Sequence, residues 1–193
     1  MRNHLILGRL GSIVLLAAAL GCATSAGPVA VSSRGLGYEG EYMGARVHLD
    51  GKRGAFVSHV ELTAYDSNKV ATGDGWTAGA VALAGVAFGP LALFGGGRVT
   101  RQETSAWERT DTSPVVQVEA HRHRGKYETT LALRYSAPDS SQYKTQSAAA
   151  IAMIGNGVKA RIAIERAWFT AAGVAREGSR VEAGVLFKIG GKD

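Results

Sequence analysis

The sequence predicts a mainly β protein, either an antiparallel β-sandwich or a small barrel, with one apolar Gly/Ala-rich helix. Short segments alternate apolar and polar residues with a period of two, which is typical of strands with two different faces. Turn residues separate many of these segments. One segment, residues 76–97, differs from all others because it is uncharged and rich in Gly and Ala.

The N-terminal residues have the composition of an export signal. Arg2 and Arg9 are the only charges among residues 1–21, no acid occurs before Glu39, and residues 11–21 are all apolar or small. A short positive region followed by such a stretch predicts a secretory signal over residues 1–21. The stretch is shorter than the ~20 apolar residues that a membrane-spanning helix needs.

The end of this signal carries the most specific motif in the chain. The run Ala19-Leu20-Gly21-Cys22 resembles the lipobox of bacterial lipoproteins. The resemblance implies a diacylglycerol on the Cys22 thiol, cleavage between Gly21 and Cys22, and acylation of the new amine. Two or more acyl chains are enough for stable membrane attachment. Ala23 follows the cysteine, which by the same resemblance implies the outer membrane.

The remainder is predicted to be one tethered domain. Cys22 is the only cysteine, so lipidation removes a thiol that an exported protein would otherwise carry free. Residues 22–37 are small, polar and Gly-containing and predict a flexible tether. Residues 38–193 then form a single β-rich domain. Without Arg2 and Arg9, the formal charge of +6 falls to +4, and its scattered basic residues indicate no nucleic-acid partner.

A first β-hairpin is predicted over residues 42–65. Residues 42–50 put Val47 and Leu49 on one face and Arg46 and His48 on the other. A turn follows at residues 50–54. Residues 56–65 then alternate again, with an apolar face that contains Phe56, Val60 and Leu62 and an opposite face that contains His59 and Glu61.

Residues 76–97 allow two interpretations. Gly85 and Gly89 form a GxxxG motif, and Gly79 extends the small-residue spacing, as in helices that pack closely within lipid. One interpretation is a membrane-inserting or self-associating helix, kinked at Pro90. The other is a buried helix that covers an open end or face of the β domain. A single span would split the sheet across the membrane, which favours the buried helix.

More strands follow this segment. A second hairpin covers residues 116–135, with its turn at 121–125 and Leu131 and Leu133 on one face. Residues 147–154 fit a buried strand or a short helix, and Asn156-Gly157 predicts a tight turn. Residues 158–169 and 181–189 complete seven or eight short strands. A transmembrane β-barrel is a further possibility, although the chain ends without the terminal aromatic residue usual in outer-membrane barrels.

Candidate sites are few. His121 and His123, with His48 or His59, contain the ligand type for a metal site, but no acid pair or HExxH motif supports one, so we predict solvated turn histidines and no metal or cofactor. No nucleophile motif or phosphate-binding loop occurs. The carboxylates alternate with core positions and indicate an exposed face. The tryptophans could line a ligand pocket, but such residues are more often core residues or membrane-interface anchors. These carboxylates and tryptophans are Glu61, Glu119, Glu165, Glu182, Trp76, Trp107 and Trp168.

The sequence therefore predicts a lipid-anchored lipoprotein of the outer membrane, facing the periplasm, with a non-enzymatic structural or interaction role. Its partners would be the membrane and an envelope protein or a second copy. One alternative is a barrel that binds a small molecule or lipid in an apolar cavity of about 300 Å³ or more. Another is an oligomeric membrane-inserting assembly through residues 76–97. An enzyme would instead show titratable groups converging in a cleft.

Overall fold

Ten antiparallel strands of the described residues close into one barrel. The computed structural model describes residues 23–35, 40–67, 75–104, 108–141, 144–171 and 173–190. Each strand pairs with its neighbours in the chain, and β1 pairs with β10 to close the wall. The strands are β1 (Ala23–Arg34), β2 (Gly40–Arg53), β3 (Phe56–Ser67), β4 (Gly75–Phe88), β5 (Leu91–Thr104), β6 (Glu108–Arg124), β7 (Tyr127–Ser136), β8 (Gln146–Asn156), β9 (Val158–Ala171) and β10 (Val174–Gly190).

The two ends of the barrel differ in the length of their connections. At one end, here called the turn end, the connections are one or two residues long, at 54–55, 89–90, 125–126 and 157. The first residue of β1 and the last of β10 are at this end as well. At the other end, here called the loop end, the connections reach nine residues, at 137–145. Gly157 has φ of +69°, as the predicted Asn-Gly turn requires.

The barrel half of the predicted fold class is confirmed, whereas the sandwich and the helix are wrong. Residues 76–97 lie in strands β4 and β5, which pair along their whole length. Gly89 and Pro90 form the turn between them, and Gly89 adopts φ of +61°. The segment is uncharged because both faces of this hairpin are apolar, not because it is helical. None of the described residues belongs to a helix with the length and apolarity of a membrane span.

The glycines of residues 76–97 lie close to atoms of the neighbouring strands. A Cβ atom at Gly85 would lie 2.0 Å from the backbone oxygen of Leu93 on the paired strand. At Gly79, a Cβ would lie 2.9 Å from the Thr63 hydroxyl. Their small size therefore permits close approach of neighbouring strands, whereas the predicted role was contact between helices.

The tether predicted for residues 22–37 is also corrected, because Ala23–Arg34 form β1. This strand pairs with β2 on one side and β10 on the other, so it is part of the closed wall. Its small residues fit that position: a Cβ at Gly27 would lie 1.8 Å from the Val185 oxygen. The predicted signal and Cys22 lie outside the described residues.

The outer surface of the barrel is apolar. The predicted alternation is correct in β3, β7 and β9, where the apolar face points outwards, whereas Val29 and Val31 of β1 and Val81 and Leu83 of β4 are buried. Leu133 is 69 % exposed and Phe56 is 72 % exposed, whereas Glu61 on the opposite face of β3 is 3 % exposed. We call the exposed apolar set the outer belt; it includes Met43, Phe56, Phe88, Leu91, Leu93, Val116, Val118, Leu131, Leu133, Ile154, Ile162, Ile164, Val181, Val185 and Phe187.

Candidate functional site: the charged lumen

The lumen of the barrel contains a buried set of ion pairs. We call it the charged layer, and its members come from β2, β3, β7, β9 and β10: Arg46, Glu61, Arg134, Arg161 and Glu182. Each occupies an inward position of its strand, where the period-two alternation places every second side chain. The prediction that the acidic residues form an exposed face is therefore wrong for Glu61, Glu119 and Glu182, which are 3 %, 6 % and 3 % exposed, and Glu165 is half-buried.

Arg46 is the bridge of the charged layer. It donates from Nη1 to Glu61 at 2.6 Å and from Nη2 to Glu182 at 2.5 Å. Arg134 donates to both oxygens of Glu61, at 2.7 and 2.9 Å. Arg161 donates to Glu182, and so does the Tyr65 hydroxyl, at 2.5 Å. Both carboxylates are thus neutralised by at least two arginines, so the layer cross-links the wall through its interior.

Another part of the lumen is filled by an apolar plug: Val81, Leu83, Ala92, Phe94 and Val115. All five are buried and come from β4, β5 and β6. Leu83 pairs with His59, and the Phe94 ring lies 6.4 Å from the His59 ring. The plug therefore adjoins the polar residues of β3, and the lumen is filled rather than open.

One cavity of the lumen adjoins these ion pairs. A cavity of about 90 Å³ lies against the charged layer. The rest of its lining is mainly small and polar, and includes Thr63, Thr77, Thr100, Ser136 and Ser147. Ligand pockets for drug-sized molecules are about 300–1,000 Å³ and mostly apolar. The cavity therefore does not meet the expectation for the small-molecule or lipid-binding alternative.

The four histidines among the described residues divide into two groups. His48 and His59 are buried in the lumen, at 1 % and 4 % exposure, and their rings are 5.3 Å apart. His121 lies near the turn end of β6, where Nε2 is 3.0 Å from Glu119, and His123 is exposed. The predicted turn at 121–125 is wrong, because β6 continues to Arg124 and both residues lie in that strand; only His123 is exposed as predicted. The grouping that sequence reasoning missed is His48, His59 and Glu61.

Titratable groups do converge in this lumen, which the sequence analysis gave as the mark of an enzyme. Yet Glu61 and Glu182 are both held by arginines. General acid–base catalysis needs a group within hydrogen-bond reach of a substrate. A cavity of about 90 Å³ has room for few non-hydrogen atoms. The non-enzymatic role stays a prediction.

Aromatic residues on the outer wall lie near both ends. Phe56, Phe88, Tyr127 and Phe187 lie near the turn end, and Trp76, Tyr135 and Trp168 lie near the loop end. Tyr127 and Tyr135 are eight residues apart on β7. With a rise of ~3.4 Å per residue and a tilt of ~40°, they are roughly 21 Å apart along the barrel axis. Trp107 lies outside the described residues.

No protein-family model matches the chain, and no curated protein matches it. Among solved structures, the chain is similar to Neisserial surface protein A (14 % identity over 88 % of this chain and 97 % of that one, TM-score 0.38). It is also similar to the translocator domain of autotransporter NalP from Neisseria meningitidis (12 %, 95 % and 95 %, TM-score 0.44). A third match is the beta domain of the Bordetella autotransporter BrkA (9 %, 88 % and 100 %, TM-score 0.43).

Proposed function

We propose that this protein is an integral β-barrel of the bacterial outer membrane with a non-enzymatic, structural or interaction role. One observation carries the proposal: the outer face of the barrel is apolar, while the lumen holds buried ion pairs. In water this arrangement would expose a continuous apolar surface far larger than soluble monomers tolerate. In a bilayer the same surface contacts lipid, and the closed wall leaves no unpaired strand edge.

The height of the outer belt supports the same proposal. Membrane barrels have an apolar band about 25 Å tall, flanked by aromatic girdles at both interfaces. The roughly 21 Å between Tyr127 and Tyr135 is close to that height. Such barrels have short periplasmic turns and longer extracellular loops. We therefore orient the turn end towards the periplasm and the loop end towards the outside.

The lipid anchor remains part of the proposal. Its support is the lipobox-like run that ends at Cys22, together with the absence of any other cysteine. Ala23, the next residue, begins β1 at the turn end. Acyl chains on Cys22 would thus enter the periplasmic leaflet beside the barrel wall. In this arrangement the anchor adds to attachment by the barrel, whereas the sequence alone predicted the lipid as the attachment of a tethered domain.

The filled lumen argues for a structural role over an open channel. The charged layer joins β2 to β3, β7, β9 and β10 through side chains, and the apolar plug occupies the region beside β4 to β6. The lumen is therefore filled by side chains, as is usual in small barrels. The assembly through residues 76–97 is not proposed as a helix, because those residues form β4 and β5.

The first experiment compares membrane extraction of wild type and Cys22→Ala. We expect both to stay with the outer membrane after carbonate and urea washes, and to migrate differently in SDS gels with and without heating. Release of Cys22→Ala into the soluble fraction would contradict a spanning barrel. Intact-mass analysis of the wild-type N-terminus separately tests whether Cys22 is acylated, because the barrel could span the membrane either way.

A charge scan of the outer wall sharpens this test. Leu131 lies midway between Tyr127 and Tyr135, so Leu131→Arg should cost about 2–4 kcal/mol of stability in a lipid bilayer. The matched control is Thr170→Arg, because Thr170 is exposed on β9 beyond Trp168, near the loop end. Equilibrium unfolding by urea in lipid vesicles measures both. Equal, small losses at the two positions would contradict lipid contact at Leu131.

A further inference from the structure

Three potential metal ligands meet in the lumen. His48 of β2 is the direct cross-strand partner of Glu61 of β3, and His59 is the partner of Asp50 in the same way. All four residues occupy inward positions of the hairpin. One nitrogen from each of His48 and His59 and one oxygen of Glu61 lie within 4.8 Å of one another. All three side chains are buried.

His48 has no other evident reason to be polar. It is 1 % exposed, and neither ring nitrogen has a hydrogen-bond partner among the described residues. A buried polar group without a hydrogen bond is destabilising, so an apolar side chain of the same shape would be more favourable there. The ring nevertheless lies against His59, with centroids 5.3 Å apart in an edge-to-face arrangement. The cost of His48 is offset if a nitrogen binds a cation.

His59 is held as metal-binding histidines are commonly held. Its Nδ1 is 2.6 Å from the Asp50 carboxylate, and its Nε2 is 2.9 Å from Glu61 Oε1. In metal sites, a carboxylate on the outer nitrogen fixes the ring and leaves the other nitrogen for the ion. Here Asp50 would be that outer carboxylate. Its side chain is 49 % exposed, so it also connects the buried group with solvent at the turn end.

We propose that the lumen binds one divalent first-row transition-metal ion of the zinc class through His48, Nε2 of His59 and Glu61, with Asp50 orienting His59. Two imidazoles and a carboxylate suit this class, and they offer too few oxygens for Mg²⁺ or Ca²⁺. Zinc–nitrogen bonds are about 2.0–2.1 Å, so the ligands would draw closer on binding. The ion would replace the proton between His59 Nε2 and Glu61 Oε1, and that proton would be released to solvent. Arg46 and Arg134 already form ion pairs with Glu61, so the affinity for the metal ion is lower than it would be with a carboxylate free of ion pairs.

The test uses the full barrel, purified in detergent without an affinity tag of histidines, with Zn²⁺ alone as the probe. Bound metal is measured by elemental analysis after desalting. We expect about one zinc per wild-type barrel and none in His48→Phe. The control is the double variant His121→Ala, His123→Ala, which removes the turn-end histidines and should still bind one zinc. Excess Mg²⁺ should not displace the ion.

Folding of the variants is checked by heat-dependent migration in SDS gels, which does not depend on the metal. His48→Phe removes no hydrogen bond, and His48→Gln is a second variant that should also fail to bind. The visible spectrum of Co²⁺ in the wild-type barrel reports nitrogen and oxygen ligation directly. Absence of zinc from the wild type, retention of zinc by folded His48→Phe or His48→Gln, or loss of zinc in the turn-end double variant would overturn the proposal. None of these results bears on whether the barrel spans a membrane.

Discussion

Two neighbouring hairpins of this barrel fill the lumen in opposite ways. The β2–β3 hairpin directs Arg46, His48, His59 and Glu61 inwards, whereas the β4–β5 hairpin directs the plug residues Val81, Leu83, Ala92 and Phe94 inwards. The outer faces of both hairpins are apolar. Every residue of β3 pairs with β4, so the charged and the apolar parts of the lumen are lined by adjacent strands of one continuous sheet.

The difference shows what determines inward residues in a narrow barrel. The lumen is shielded from lipid. It can therefore be filled either by charged side chains that pair with one another or by apolar side chains that pack together. The outer wall must be apolar, because a charged side chain in contact with lipid destabilises the barrel. Strand alternation is therefore visible in β2 and β3, and hidden in β4 and β5. Substitutions in the charged and the apolar parts of the lumen should therefore differ in their effect on the free energy of unfolding.

The largest effect is expected in the charged layer. Glu61→Ala would leave Arg46 and Arg134 without their shared carboxylate, and breaking a buried ion pair in this way costs about 3–5 kcal/mol. The measurement is the free energy of unfolding by urea in detergent or lipid. The control is Glu177→Ala, because Glu177 pairs with Arg166 at the exposed surface. Exposed pairs contribute about 0–1 kcal/mol, so equal losses would contradict the charged layer.

A slightly smaller effect is expected in the apolar plug. Phe94 is 4 % exposed in the lumen, whereas Phe88, six residues earlier, is 67 % exposed on the outer wall near the turn end. Phe94→Ala should lower the free energy of unfolding by about 3 kcal/mol, because it opens a cavity in a packed interior. Phe88→Ala opens no internal cavity and should cost less in detergent. A larger loss for Phe88→Ala would show that the plug is not packed as described.

The smallest effect is expected at two adjacent glycines of β5. A Cβ at Gly96 would lie 2.0 Å from the Ala82 oxygen, whereas a Cβ at Gly95 would meet nothing within 4 Å. Gly96→Ala should therefore destabilise by about 1–3 kcal/mol through overpacking. Gly95→Ala should be neutral or stabilise by about 0.5–1 kcal/mol, because alanine is less flexible in the unfolded chain. Thermal unfolding of the two variants distinguishes them, and the reverse order would contradict this register of β4 and β5.

Most of the hairpins could be predicted from the sequence because their two faces differ chemically. The pairing of residues 42–50 with 56–65 and the turn at Asn156-Gly157 follow from period-two alternation and turn chemistry. The direction of the faces could not be predicted this way. Alternation is the same whether the apolar face meets a protein core or lipid, so the sequence alone predicts surface positions for Glu61 and Glu182.

The rest depended on long-range contacts. Arg46 and Glu182 are 136 positions apart, and they meet only because β1 pairs with β10 to close the barrel. β1 consists mainly of small residues, so the sequence predicts a tether there. β4 and β5 are apolar on both faces, so the sequence predicts a helix there. A usable signal was present in the charges that recur at every second position, as in Arg46 with His48 and His59 with Glu61. Solvated strands carry charges in the same pattern, so the signal identifies a lumen only after closure is known.

The measurement that tests the central claim most directly is the accessibility of spin labels along β7 in lipid vesicles. Single cysteines at 129, 130, 131, 132 and 133, in a Cys22→Ala background, would carry the label. We expect labels at 129, 131 and 133 to meet oxygen dissolved in the lipid, and labels at 130 and 132 to be shielded from it. The reverse alternation, or labels at 129, 131 and 133 that meet a water-soluble relaxation agent instead, would contradict a barrel with its apolar face in lipid.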